Sequence, residues 1–182
     1  MRMQTELQFL PPKRWRPFRR AEGGSVAVEF ALLAIPFFTL IFAILETAIV
    51  YFASASLEGA LNDAARRIRT GELQTAGSGA SVMKAAICAD AALLSNCATD
   101  LKLDVRSFSS WANVSVPDPL NASGNLTLNP QFQPGNASDI VIVRAFFPWK
   151  ILSPISIGLK NMSSNSRLLG ATVAFRNEPY SG

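Results

Sequence analysis

From Gly23 to Phe52 the chain reads GGSVAVEFALLAIPFFTLIFAILETAIVYF, a long apolar run with a glutamate near its start. Nothing else in the 182 residues limits the fold as much. About 20 mostly apolar residues are enough to cross a bilayer as a helix, and Phe30 to Leu45 carries no charge. Pro36 removes one helical hydrogen bond, which predicts a kink or a local loosening. Glu29 is the costly residue. A charge at mid-bilayer depth costs about 2.5–3.5 kcal/mol on insertion scales, so an intramembrane carboxylate is a candidate functional group. Cleavage after Gly24 would leave a free α-amino group on Ser25, one helical turn from Glu29. Glu46 lies 21 residues beyond Ser25, about 32 Å along a helix rising 1.5 Å per residue. It can reach water at the opposite headgroups.

The charge distribution supports an anchored chain. Six Lys/Arg (Arg2, Lys13, Arg14, Arg16, Arg19 and Arg20) precede Ser25 against Glu6 and Glu22, while the 11 that follow meet 11 Asp/Glu. The whole excess of +4 therefore sits in the first 24 residues. Nucleic-acid binding needs a basic footprint spread over a folded face, which this pattern lacks. Basic residues crowded against one end of an apolar helix instead set orientation, with the N-terminus cytoplasmic and everything after Phe52 on the far side. Ala53-Ser54-Ala55 would suit a signal peptidase, giving a mature start at Ser56. A signal h-region is only about 7–15 residues, however, and this run is longer and holds two glutamates.

There is no histidine, which removes the commonest general base and the commonest metal ligand. With no nucleotide motif and no recognisable frame of paired acids, the chain reads as a non-enzyme without cofactor, metal site or small-molecule substrate. Cys88 and Cys97 both follow the span, and the pair reads as one local disulfide. The alternative is two buried thiols.

Along the chain, residues 1–24 form a basic leader and 25–52 the transmembrane half of a helix. Residues 53–70 form its amphipathic continuation, because Leu57, Leu61, Ala64 and Ile68 recur at helical spacing. Thr70-Gly71 should end it. Residues 71–182 form a second, α+β part. Ser81 to Leu94 predicts a short helix, N-capped by Ser81 or Ser78. LKLDVRSF, ANVSV, NLTL, DIVIVRAFF and LLGATVAFR then predict a mainly antiparallel sheet of four to five strands.

VEFALLAIP, the ILE that ends at Glu46, LEGALNDAARRIRTG and the terminal RNEPY resemble the TadE-like family, whose members are minor pilins or pseudopilins of the tight-adherence (Flp-type) type IV pilus. The resemblance covers the N-terminal helix to about Gly71 and the last ten residues, with the middle matched by layout alone. Glu22-Gly23-Gly24 departs from the basic residues that often precede a single glycine in relatives. The resemblance implies a pilin-like fold and cutting of Gly24–Ser25 by a prepilin peptidase. It also implies pairing of the Glu29 carboxylate with the Ser25 ammonium of a neighbouring subunit. The partners it implies are the inner membrane, sibling minor pilins and pilus platform proteins driven by a cytoplasmic ATPase, with the C-terminal domain in the periplasm. Arg176, Asn177, Glu178, Pro179 and Tyr180 read two ways. From the residues they form a salt-bridged, docked C-terminus, and from the resemblance they contact a partner subunit. The competing class is an unprocessed, signal-anchored periplasmic binding or scaffold protein.

Overall fold

A computed structural model describes residues 24–73, 79–153 and 158–179. The basic leader before Gly24, the capping candidate Ser78 and Tyr180 lie outside them. The elements are α1 (Ser25–Arg69), α2 (Gly79–Asp90), α3 (Cys97–Asp100), β1 (Lys102–Phe108), β2 (Ile140–Lys150) and β3 (Ser166–Arg176), with a 3-10 turn at Trp111–Asn113 after β1. The chain divides into two compact units, Met1–Ile41 and Phe42–Gly182.

The first unit is described from Gly24 and is the opening half of α1. Every large apolar side chain from Val26 to Leu40 is more than half exposed. The most apolar stretch of α1 has a mean hydropathy of 2.4 with none of it buried. By length and composition this helix can cross a membrane. The Thr39 hydroxyl donates to the Ile35 carbonyl at 2.7 Å, so its polar group is satisfied within the helix.

The second unit holds the core. Val50, Ala53, Leu57, Ala60, Leu61, Ala64, Ala65 and Ile68 are the buried residues of α1, and their three-to-four spacing is the stripe expected from the sequence. They form one apolar cluster with Met83 and Ile87 of α2 and with one face of the sheet. Burying a Leu or Ile side chain fully contributes about 1.5–3 kcal/mol, and Leu57, Leu61 and Ile68 are all fully buried. The helix ends as predicted. Gly71 has φ 88°, its N–H donates to the Ile68 carbonyl at 3.0 Å, and the Glu72 N–H donates to the Arg67 carbonyl at 3.0 Å. This paired closure satisfies carbonyls that a helix end otherwise leaves orphaned.

The sheet is antiparallel in the order β1-β2-β3, so β2, the most apolar strand, is central as its composition predicts. Among the described residues it has three strands rather than four to five. Ala112–Val116 begins in the 3-10 turn and continues as irregular chain into Pro117. Asn125–Leu128 makes only an isolated bridge, Leu120 to Leu126. Both stretches alternate, but Pro117, Pro119 and Pro130 lack the N–H that a ladder needs. In place of a fourth strand, Gln131–Gln133 lies along β1. The Val105 N–H donates to the Gln131 carbonyl at 2.8 Å, and the Gln133 N–H donates to the Val105 carbonyl at 2.9 Å.

The second helix also differs at its ends. It spans Gly79–Asp90, so Ser81 lies inside the helix rather than at its cap, and it stops short of Leu94. Ala91 and Leu94 are buried in the turn that follows, so their apolar character marks core filling rather than helix length.

Candidate functional site

Three groups of polar side chains stand out against this frame. The first is at the head of α1. Gly24 precedes the helix, Ser25 is its first residue and Glu29 lies in its second turn. All three are exposed, and Glu29 makes no ion pair among the described residues. A carboxylate among exposed Val26, Val28, Phe30 and Leu32 is costly in lipid unless a partner meets it.

The second group is Glu46, which the sequence places within reach of water and which is partly exposed. It also holds a loop. Its Oε1 accepts the Leu152 N–H at 2.5 Å and the Ser153 N–H at 3.1 Å, and Oε2 accepts the Ser153 hydroxyl. These bonds span more than 100 residues of sequence and pin the end of β2 to the helix. Apolar Phe42, Leu45, Ile49, Trp149 and Leu152 surround the carboxylate. No sequence signal identified Ser153, because a backbone-held carboxylate leaves no spacing to find.

The third group sits on the sheet face turned away from the apolar cluster. Asp104 on β1 is directly opposite Arg144 on β2, and they are 0% and 5% exposed. Arg144 Nη2 and Nε donate to Asp104 Oδ2 at 2.6 and 3.2 Å. Arg106 Nε donates to Oδ1 and Oδ2 at 3.1 and 3.0 Å, and the Gln131 N–H donates to Oδ1 at 2.9 Å. Burial alone would raise the Asp104 carboxyl pKa. The hydrogen bonds from Arg144, Arg106 and the Gln131 amide, with the Arg106 charge, outweigh it and hold the carboxyl below its ordinary value. Arg144 Nη1 also donates to the Pro117 carbonyl at 2.7 Å, so the pair holds the irregular segment after β1 at Pro117 within it and at Gln131 where it returns to the sheet. An arginine in the middle of a strand this apolar was the available signal for a buried acid opposite.

The C-terminal motif is docked. β3 ends at Arg176, so Arg176 and Glu178 do not share a strand face. The acid finds a different partner: Arg69 Nε lies 3.3 Å from Glu178 Oε1, with both side chains about half exposed. The Glu178 N–H donates to the Arg69 carbonyl at 3.0 Å, closing another orphan of the α1 end. Asn177 is 3% exposed and donates to the Pro134 and Asn136 carbonyls at 2.9 Å each. Arg176 Nε donates to the Ser138 carbonyl at 2.8 Å. The exposed Arg69–Glu178 pair is worth about 0–1 kcal/mol, so Asn177 and the backbone bonds carry most of the docking.

The sulfurs of Cys88 and Cys97 are at bonding distance, 1.95 Å, with Cα atoms 5.6 Å apart. The bridge joins α2 to the start of α3, since Cys97 opens a helix of its own. Closing so short a loop contributes about 2–3 kcal/mol. Changing both cysteines to serine should lower denaturant stability of the full chain in detergent by that amount. An unchanged midpoint would show that the native turn is equally fixed without the bridge. Among the described residues no three His, Cys, Asp or Glu side chains converge to hold a metal ion.

Residues 24–66 match the family model of the TadE-like proteins. Over these residues the N-terminal helix is similar to the TadE-like proteins. The match begins at the glycine before the helix and ends three residues before its last, so it takes in Gly24, Ser25, Glu29 and Glu46. The Arg176–Tyr180 motif and the sheet lie beyond it. No curated protein and no solved structure matches the chain.

Proposed function

We propose that this chain is a TadE-like minor pilin or pseudopilin that takes part in assembling a tight-adherence, Flp-type pilus and acts without catalysis of its own. The observation that carries the proposal is the TadE-like match over residues 24–66, on a helix headed by Gly24, Ser25 and Glu29 whose most apolar stretch is unburied. In this reading a prepilin peptidase cuts Gly24–Ser25 on the cytoplasmic face of the inner membrane. The small Gly24 lets the backbone enter a narrow cleft at the membrane surface. The new Ser25 ammonium of one subunit then meets the Glu29 carboxylate of another, and each offsets the desolvation of the other. The single-pass helix is the spine that holds the subunit in the membrane and packs on sibling pilins and platform proteins. The α+β part, placed in the periplasm by the basic leader, supplies the contacts with those partners.

The mature N-terminus tests this directly, by intact mass or terminal sequencing of the protein from its native membrane. Ser25 is expected. An intact Met1 would leave an unprocessed, signal-anchored periplasmic scaffold, and a start at Ser56 would make the helix a secretion signal.

A further inference from the structure

The loop held by Glu46 has a feature that core packing does not explain. Leu152 is 85% exposed, yet its backbone N–H is fixed by the Glu46 carboxylate. An order-giving hydrogen bond thus holds a leucine out of the core. Beside it are Phe42, Leu45 and Ile49, exposed to 61%, 52% and 47%, and the body of Trp149. Exposed apolar surface of this kind marks an interface with a partner or with lipid. We propose that the Trp149–Ser153 segment is a second membrane contact, seated at the non-cytoplasmic boundary between headgroups and acyl chains, with Glu46 as the latch that sets its position.

The choice of lipid over a protein partner rests on three observations. The groove is lined in part by Phe42, Leu45 and Ile49, which belong in sequence to the apolar run Gly23–Phe52 whose side chains suit a bilayer. Trp149 and exposed Lys150 follow each other directly before the loop. An indole and a cation are the side chains that favour the headgroup level, the lysine reaching phosphates while its stem lies on apolar surface. Finally, the Glu46 carboxylate is met by two backbone N–H groups and a hydroxyl. Charge-assisted bonds of that kind let a carboxylate leave bulk water at lower cost. This inference rests on the reading that α1 crosses a membrane.

The test uses the full chain in phosphatidylcholine/phosphatidylglycerol nanodiscs, with a nitroxide on L152C. The native disulfide occupies the other two cysteines, so the label has one site. Reference labels go on L40C in the apolar half of α1 and on A112C in the exposed turn after β1. Power saturation compares collisions with oxygen, which dissolves in lipid, against a water-soluble nickel chelate. The expected result is oxygen preference at 152 close to that at 40 and several-fold above that at 112. Adding Glu46→Ala should return the 152 label toward the value at 112 and increase its mobility. Oxygen preference at 40 with nickel preference at 152 would overturn this inference while leaving the anchored reading intact. Nickel preference at both would overturn the anchored reading itself. Protection of 152 from both relaxers would mean a protein covers the loop, and oxygen preference surviving Glu46→Ala would remove the latch; either overturns the proposal.

Discussion

Asp104→Ala is expected to lose about 3–5 kcal/mol of folding stability, because removing one partner of a buried charge network leaves the other uncompensated. Arg144 would keep its Pro117 contact but lose the carboxylate that faces it on the sheet. Arg144→Met should cost less, since Asp104 would keep Arg106 and the Gln131 amide. The order of the two variants is therefore the informative result. Equal costs would mean the pair acts as a simple two-body bridge. Asp104 also anchors Gln131, so its loss should speed amide exchange at Val105 and Gln133, whose N–H groups join that edge strip to β1. Acid should reproduce part of the effect. The folded-state carboxyl sits below its ordinary value, so the unfolded chain binds that proton more readily. The contribution is whole above the unfolded-state pKa of about 3.9 and is lost as pH falls through the lower folded value. Denaturation of Asp104→Asn in detergent, followed from pH 7 to pH 2, should show a shallower acid limb than the parent chain. An identical limb would mean that other carboxylates govern acid unfolding.

Those residues also show where the sequence stopped being legible. The second half of α1 was readable because helical burial repeats every three to four residues, and Leu57, Leu61 and Ile68 obey that period without help from elsewhere. The three strands were readable because apolar, β-branched runs of strand length bounded by turn residues admit few other structures. Ala112–Val116 and Asn125–Leu128 alternate equally well in sequence. Whether an alternating stretch joins a ladder depends on a neighbour with free N–H and C=O groups, which local pattern does not report. The edge of β1 was taken by Gln131–Gln133, beside Pro130 and Pro134, a segment with no strand-like composition. Asp104 and Arg144 are 40 residues apart and meet only through the strand register, just as Glu46 meets Leu152 and Ser153 through the tertiary fold. The candidate site at Gly24, Ser25 and Glu29 was legible for the opposite reason. Its elements are local, and their order along one helix is itself the signal.

For Glu29→Ala, membrane insertion and pilus assembly should move in opposite directions. Removing a carboxylate from an apolar helix makes insertion easier by about 2–3 kcal/mol if the group lies within the hydrocarbon, and changes it little if the group stays near the headgroups. The variant should therefore be found in the membrane at least as fully as the parent. Assembly should fail if the proposed pairing operates. A Ser25 ammonium carried into a subunit contact without its carboxylate costs about 3–5 kcal/mol, the usual cost of breaking a buried ion pair from one side. That lowers the assembled fraction by a factor of about 100 or more. Membrane fractionation with sheared-pilus yield measures both quantities on one culture, and the mature N-terminus shows whether processing is intact. Reduced insertion would identify Glu29 as part of the anchor's own folding. Normal pilus yield with normal insertion would sink the pairing model even if Ser25 is the mature N-terminus. Glu29→Gln separates charge from shape: it keeps the side chain's length and an acceptor oxygen, so only a requirement for the negative charge predicts that it fails like alanine.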